Sequence, residues 1–222
     1  MRLHALLGLG FLILPLFSYP QTGAVENTVS DIDGNTYKTV TIGAQVWMAE
    51  NLKVSRYRNG EPIGQVIGKD KWKELTGKGG WCYPNDDSVT GKTFGKLYNW
   101  FAVSDPSGIC PQGWHVPGDA EWQTLIQYLG GNKVAGGKLK ATALWDYPNE
   151  GATNSTGFTA VPAGVRYFEG KFFMTGSYVG FWSSTEANRD FVWMYYLESG
   201  NSKMTRIFFG KRNALPCRCL KD

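Results

Sequence analysis

The chain has 222 residues, with 23 Lys and Arg against 19 Asp and Glu, a net charge of +4 and an aromatic share of 14%. So mild a positive balance excludes a nucleic-acid binder held by a broad basic surface. Two histidines in the whole chain exclude a multi-histidine metal centre.

Arg2 precedes an apolar run from Leu6 to Phe17, and small or polar residues follow to Thr22-Gly23-Ala24. This pattern reads as a secretory signal peptide over residues 1–24. The run of about 12 residues is too short for a bilayer span, which needs about 20. No cysteine follows it, so lipid attachment at that point has no thiol to use. Residues 25–222 are therefore expected as an exported chain without a transmembrane segment, of a length that suits one domain.

Asp33-Gly34 marks a hairpin turn between Val29–Ile32 and Tyr37–Ile42. A second turn at Gly43 leads into an apolar strand, Gln45–Leu52, anchored by Trp47. Arg58–Gly80 is polar and glycine-containing and reads as a loose connection, its basic stretch Lys69–Lys78 as a solvated face. Phe94, Leu97, Tyr98 and Phe101 recur at helical spacing, which predicts a helix over Thr93–Val103. A second helix starts at Gly118 or Asp119, with Glu121 favouring its positive end and Trp122, Leu125, Ile126 and Leu129 as the buried stripe; Gly130-Gly131 stops it. From Gly157 short apolar runs alternate with turns: 158–161, 164–168, 171–174, 181–184, 191–197, 204–209 and 216–220. Two helices followed by several short antiparallel strands and long loops make an α+β fold.

All four cysteines, Cys82, Cys110, Cys217 and Cys219, follow the leader, and an even count in an exported chain argues for disulfides. Three pairings are open. Cys217 and Cys219, one residue apart, point the same way if extended and are poor partners for each other. A bridge from Cys110 to Cys219 would close a loop of over 100 residues, worth roughly 4 to 5 kcal/mol in the chain-entropy picture.

Trp47, Trp100, Trp114, Trp122 and Trp182 lie in periodic segments and are expected in the core. Trp81, Trp145, Tyr147, Tyr167 and Tyr178 fall in or beside glycine-rich polar loops and are the candidates for an exposed binding surface. His115 is the one histidine past the leader, set between Trp114 and Val116, and reads as a hydrogen-bonded structural residue. A serine triad would need it, so Ser183 and Ser184 are poor nucleophiles. Asp86 and Asp87 in YPNDDS are candidate calcium ligands, alongside Asp31, Asp33 and Asn35 in DIDGN and Asn149 and Glu150 in YPNEG. Asp-Gly and Asn-rich loops are more simply turns, so no resident cofactor is expected.

Taken in order, DIDGNTYKTVTIGAQVWMAENL, GKLYNWFAV, CPQGWHVPGDAEWQTL, GGKLKAT, FWSSTE and CRCLKD resemble the Fibrobacter succinogenes major paralogous domain, best from Asp31 to Asp222. The resemblance implies a secreted or cell-surface bacterial protein. It also implies the C-type-lectin-like superfold shared with formylglycine-generating enzymes, in which N- and C-terminal strands come together. In that family Cys110 and Cys219 hold structural-bridge positions; a Cys82–Cys217 bridge rests on parity alone. The expected function is a non-catalytic binding or adhesion module that recognises glycan or another surface polymer. The resemblance carries an enzymatic alternative, a copper- or thiol-dependent oxidase using Cys82 and Cys217. A structural surface protein with every aromatic in the core is the third reading.

Overall fold

The computed structural model describes residues 27–222, so the leader expected over residues 1–24 lies outside the described residues. β1 (Thr28–Ser30) and β2 (Thr36–Ile42) form the expected hairpin, with Val29 opposite Tyr37. The Asp31 carboxylate holds its turn by accepting from the backbone N–H groups of Asp33 and Asn35 at 2.9 and 3.0 Å. β3 (Gln45–Met48) pairs with β2, and Trp47 is fully buried at its centre.

The connection that reads as loose carries structure. It contains β4 (Gly64–Gln65) and α1 (Lys69–Glu74), and α1 buries Trp72 while its lysines face solvent. Next come β5 (Gly80–Cys82), a 3-10 turn (Pro84–Asp86) and α2 (Ser88–Phe94), capped by the Asp87 carboxylate on the N–H groups of Val89 and Thr90.

The helix expected over Thr93–Val103 is not formed as one piece. α2 ends at Phe94, β6 (Leu97–Asn99) follows, and α3 (Trp100–Val103) restarts on an Asn99 cap. The break falls at Gly95, which has φ 78°. A side chain there would meet Asn51 Cβ at 2.8 Å and Leu52 O at 3.0 Å, so the chain turns where only glycine fits. Leu97 and Tyr98 then pair with Cys82 and Trp81 on one side, and Tyr98 with Leu215 on the other. Sheet partners far away in sequence override the local period.

β7 (Trp114–His115) leads into α4 (Asp119–Tyr128), as expected from its apolar stripe, and α5 (Asn132–Leu139) follows after Gly130-Gly131. The remaining strands are β8 (Val165–Arg166), β9 (Phe172–Phe173), β10 (Tyr178–Glu186), β11 (Phe191–Glu198), β12 (Thr205–Gly210), β13 (Ala214–Leu215) and β14 (Leu220–Lys221). The run 158–161 contributes only one bridge, Ala160 with Lys140. Among the described residues there are thus five α-helices, not two, and the fold is α+β with almost entirely antiparallel strands.

The strands make three sheets, of order β1-β2-β3-β14-β7, β10-β11-β12 and β4-β5-β6-β13-β8-β9. The C-terminal β14 sits between β3 and β7, Leu220 pairing with both Trp47 and His115, so the two ends of the described chain share one sheet. Cys110 and Cys219 are bonded, closing 109 residues of chain across the same seam. The five tryptophans expected in the core are all buried. Trp122 is the hub of one half, with Trp47, Phe181 and Tyr195 rings at 4.6, 5.7 and 5.4 Å.

Buried cations tie the layers. Arg218 donates to Asn51 Oδ1 and to the carbonyls of Met48, Phe158 and Thr159. Arg166 forks onto Asp86 between the rings of Trp72 and Phe172, at 4.7 and 4.5 Å. Lys140 donates to three carbonyls, those of Glu150, Glu198 and Asn201.

Candidate functional site

Strands β11 and β12 carry large apolar side chains on both faces, and at the Phe191–Gly210 end only the inner face is covered. Val192 and Met194 are fully buried and pack with Ile207 and Phe209 on the inner face. On the outer face Tyr195 is roofed by α4: its ring stacks on Trp122, and its hydroxyl donates to Asp119 Oδ1 at 2.7 Å. Arg206 grips the same carboxylate at 2.6 and 2.9 Å and lays its guanidinium 3.3 Å from the Trp193 ring centre. Towards the far end of the hairpin Phe208 stands 58% exposed opposite Trp193, with Phe191 edge-on at 5.5 Å.

This end opens on a groove of about 600 Å3 lined by Phe101, Tyr167, Phe168, Phe191, Phe208 and Phe209. Arg189, Asp190, Lys211 and Arg212 form its polar rim. Each lip is held from below. The Asn188 side chain accepts from the N–H groups of Asp190 and Phe191, and buried Asn213 accepts from Phe168 N at 2.7 Å. Lys211 is fixed by Glu186 at 3.1 Å and lies over the Trp100 ring. The groove thus has an apolar floor with hydrogen-bonding groups around it, an arrangement with the shape and chemistry to accept a flat, amphipathic ring.

Of the five aromatics expected at an exposed surface, Tyr167 alone lines this groove. Trp81 is buried, its indole N–H donating to Ile63 O at 2.9 Å, and Tyr178 is buried and stacked on Tyr196. Both correct the expectation of exposure: Gly80 and Gly180 lie within the strands and give Leu75 and Met194 room where a Cβ would clash, so these strands pack into the interior. Trp145 is half-buried, bonded to Ala160 O, and Tyr147 projects with 97% exposure, away from any groove described here. Phe191, Phe208 and Phe209 belong to strands β11 and β12, Phe101 to α3 and Phe168 to the loop after β8, so a search of glycine-rich polar loops does not find the groove. The doublet Phe208-Phe209 was the available signal, since adjacent strand residues point to opposite faces and one ring must leave the core side.

The family model of the Fibrobacter succinogenes major domain matches residues 40–221. The chain belongs to the Fibrobacter succinogenes major domain family. No curated protein and no solved structure matches it significantly.

In this major domain the expected Cys82–Cys217 bridge is not formed; both are buried free thiols. Cys217 Sγ instead lies within 4.8 Å of the sulfurs of Cys110 and Cys219, a cluster that excludes Cys82. Burial pushes each free thiol up to about 12, so neither is a thiolate at neutral pH. Cys82 lies beside Arg166, whose charge only partly opposes the burial.

His115 is gripped at both ring nitrogens, Nδ1 by Asp222 at 2.7 Å and Nε2 by Glu121 at 2.8 Å. Burial draws its pKa down, but these two hydrogen bonds and charges outweigh it and raise the pKa. An imidazole so engaged has no free lone pair for a general base. Glu121 also accepts from the Gly118 N–H and thereby starts α4 without a side-chain N-cap. The calcium candidates have protein partners. Asp86 pairs with Arg166 and accepts from Gly68 N, Asp87 caps α2, and Asp33 pairs with Arg56.

Proposed function

We propose that this chain is an exported, non-catalytic binding module that recognises glycan through the groove at the end of β11 and β12. The observation that carries this reading is the bundle of exposed Phe168, Phe191 and Phe208 on strands and loops fixed by Asn188 and Asn213. Sugar rings stack on such faces, and the charged rim supplies partners for their hydroxyls. The leader pattern and the Cys110–Cys219 bridge, which is compatible with an oxidising compartment, support export. Pairing of the two chain ends in one sheet supports the C-type-lectin-like reading of the fold. The thiol-dependent alternative is the weaker reading, because Cys82 and Cys217 sit apart and protonated.

The test is a polysaccharide array probed with residues 25–222. Saturable binding that falls roughly tenfold or more in Phe208→Ala, and stays unchanged in Tyr147→Ala, is the expected result. Absence of binding to every glycan sinks the reading and leaves a structural surface role.

A further inference from the structure

Four cationic side chains are buried in the described residues: Lys96, Lys140, Arg166 and Arg218. Three are finished by the protein itself. Lys140 has three carbonyls for its three N–H bonds, Arg166 has Asp86 with the carbonyls of Val66 and Gly170, and Arg218 has four oxygen acceptors. Lys96, 6% exposed, is not finished. Its ammonium bonds to Ser55 Oγ and rests 3.7 Å from the centre of the Trp81 ring, and it has no carboxylate within ion-pair distance.

Lys96 lies against a cleft of about 340 Å3 that it shares with Lys53, Lys92, Ser88, Tyr83 and one carboxylate, Asp33. The carboxylates nearby are committed elsewhere. Asp33 binds Arg56 at 2.6 Å and Ser55 N at 2.5 Å, while Asp31 accepts from Tyr37, Asn35 and two backbone N–H groups. Lys53 pairs with Glu50, which leaves Lys92 and Lys96 as the cations of this cleft without a carboxylate partner among the described residues. A buried ammonium short of acceptors is costly, and an open cleft with a second cation on its rim is where a missing acceptor would enter.

We infer that this cleft binds an oxyanion, a carboxylate, sulfate or phosphate group, with Lys96 as the donor on its floor and Lys92 on its rim. The aromatic groove plays no part in this inference. Burial pulls the Lys96 ammonium down to about 8, and Asp33 and Asp31 only partly oppose that. A bound anion would push it back up.

The experiment titrates residues 25–222 with inorganic sulfate and phosphate against chloride at constant ionic strength, reading the melting midpoint and the NMR shift of the Lys96 ε-carbon. A parallel arm uses a sulfated and a uronate oligosaccharide. The expected result is a saturable rise in midpoint and an upward move of the Lys96 titration. The rise in midpoint vanishes in Lys96→Met, and in Lys92→Gln the affinity read from the Lys96 shift drops roughly tenfold. Tighter binding of the oligosaccharides supports an acidic polymer as the source of the group; equal binding supports a free ion. The inference is overturned if sulfate, phosphate and both oligosaccharides act no differently from chloride. It is overturned equally if the saturable response survives in Lys96→Met, or, should that variant not fold, in Lys92→Gln at unchanged affinity.

Discussion

Lys140 and Lys96 both carry an ammonium into the interior, at 0% and 6% exposure. Around Lys140 the chain from Glu150 to Asn201 converges with three carbonyls at 2.9 to 3.0 Å, so the charge locks one loop, one strand end and α5 together. Around Lys96 there is one hydroxyl, one indole face and an open cleft. The same side chain is a structural tie where every donor meets an acceptor and a binding element where two do not. Satisfaction, not burial, separates the two roles.

The largest effect on this comparison should come from the covalent seam that holds both regions in place. Cys110→Ser opens the 109-residue loop and should remove about 4 to 5 kcal/mol of stability, measured by urea unfolding. Cys219→Ser should lose clearly less, since Cys217 lies within 4.8 Å of Cys110 and can take over the bridge. Peptide mapping after alkylation would show Cys110 joined to Cys217; a free Cys110 in that variant contradicts the prediction.

Lys140→Met removes the donor shared by three part-buried carbonyls, of which that of Glu150 keeps the Ser202 hydroxyl, and should cost about 2 kcal/mol or more, at roughly 1 kcal/mol or above for each carbonyl left without a partner. Lys96→Met should be neutral to within about 1 kcal/mol at pH 7, because it removes a charge that the protein does not compensate. Equal losses in the two variants would erase the distinction.

A smaller difference should appear with pH. Burial holds the folded Lys96 ammonium down at about 8, against 10.5 for an ordinary lysine, so between those values the unfolded chain holds the extra proton. Stability of the wild type should therefore rise from pH 8 to 10 relative to Lys96→Met. His115 runs the other way. Its raised pKa stabilises the fold fully below 6.5, and that contribution fades as pH climbs through the folded value. Wild type should accordingly lose part of its advantage over His115→Gln as pH rises above 6.5, seen in melting midpoints.

The parts of this fold that follow local rules were readable in the residues. The hairpin at Asp33-Gly34 and the helix from Asp119 need only a turn dipeptide and a 3.6-residue stripe, and both stand where expected. The stretch around Phe94 to Phe101 did not obey its period, because Gly95 packs against Asn51 and the strand after it finds partners at Trp81 and Leu215. Trp81 reads as a surface aromatic among glycines; in three dimensions it is buried in β5 beneath the Lys96 ammonium.

By itself the sequence determined the family, the tryptophan core and the Cys110–Cys219 pair carried by the family resemblance, since these are written in composition, order and local period. Only the tertiary structure decided that Cys217 lies beside the bridge while Cys82 stands apart, that Phe191 and Phe208 outrun their roof, and that Lys96 lacks the acceptors Lys140 enjoys. Each of these depends on which distant residues arrive to cover a group. That is a property of packing between elements, which no window of neighbouring residues contains.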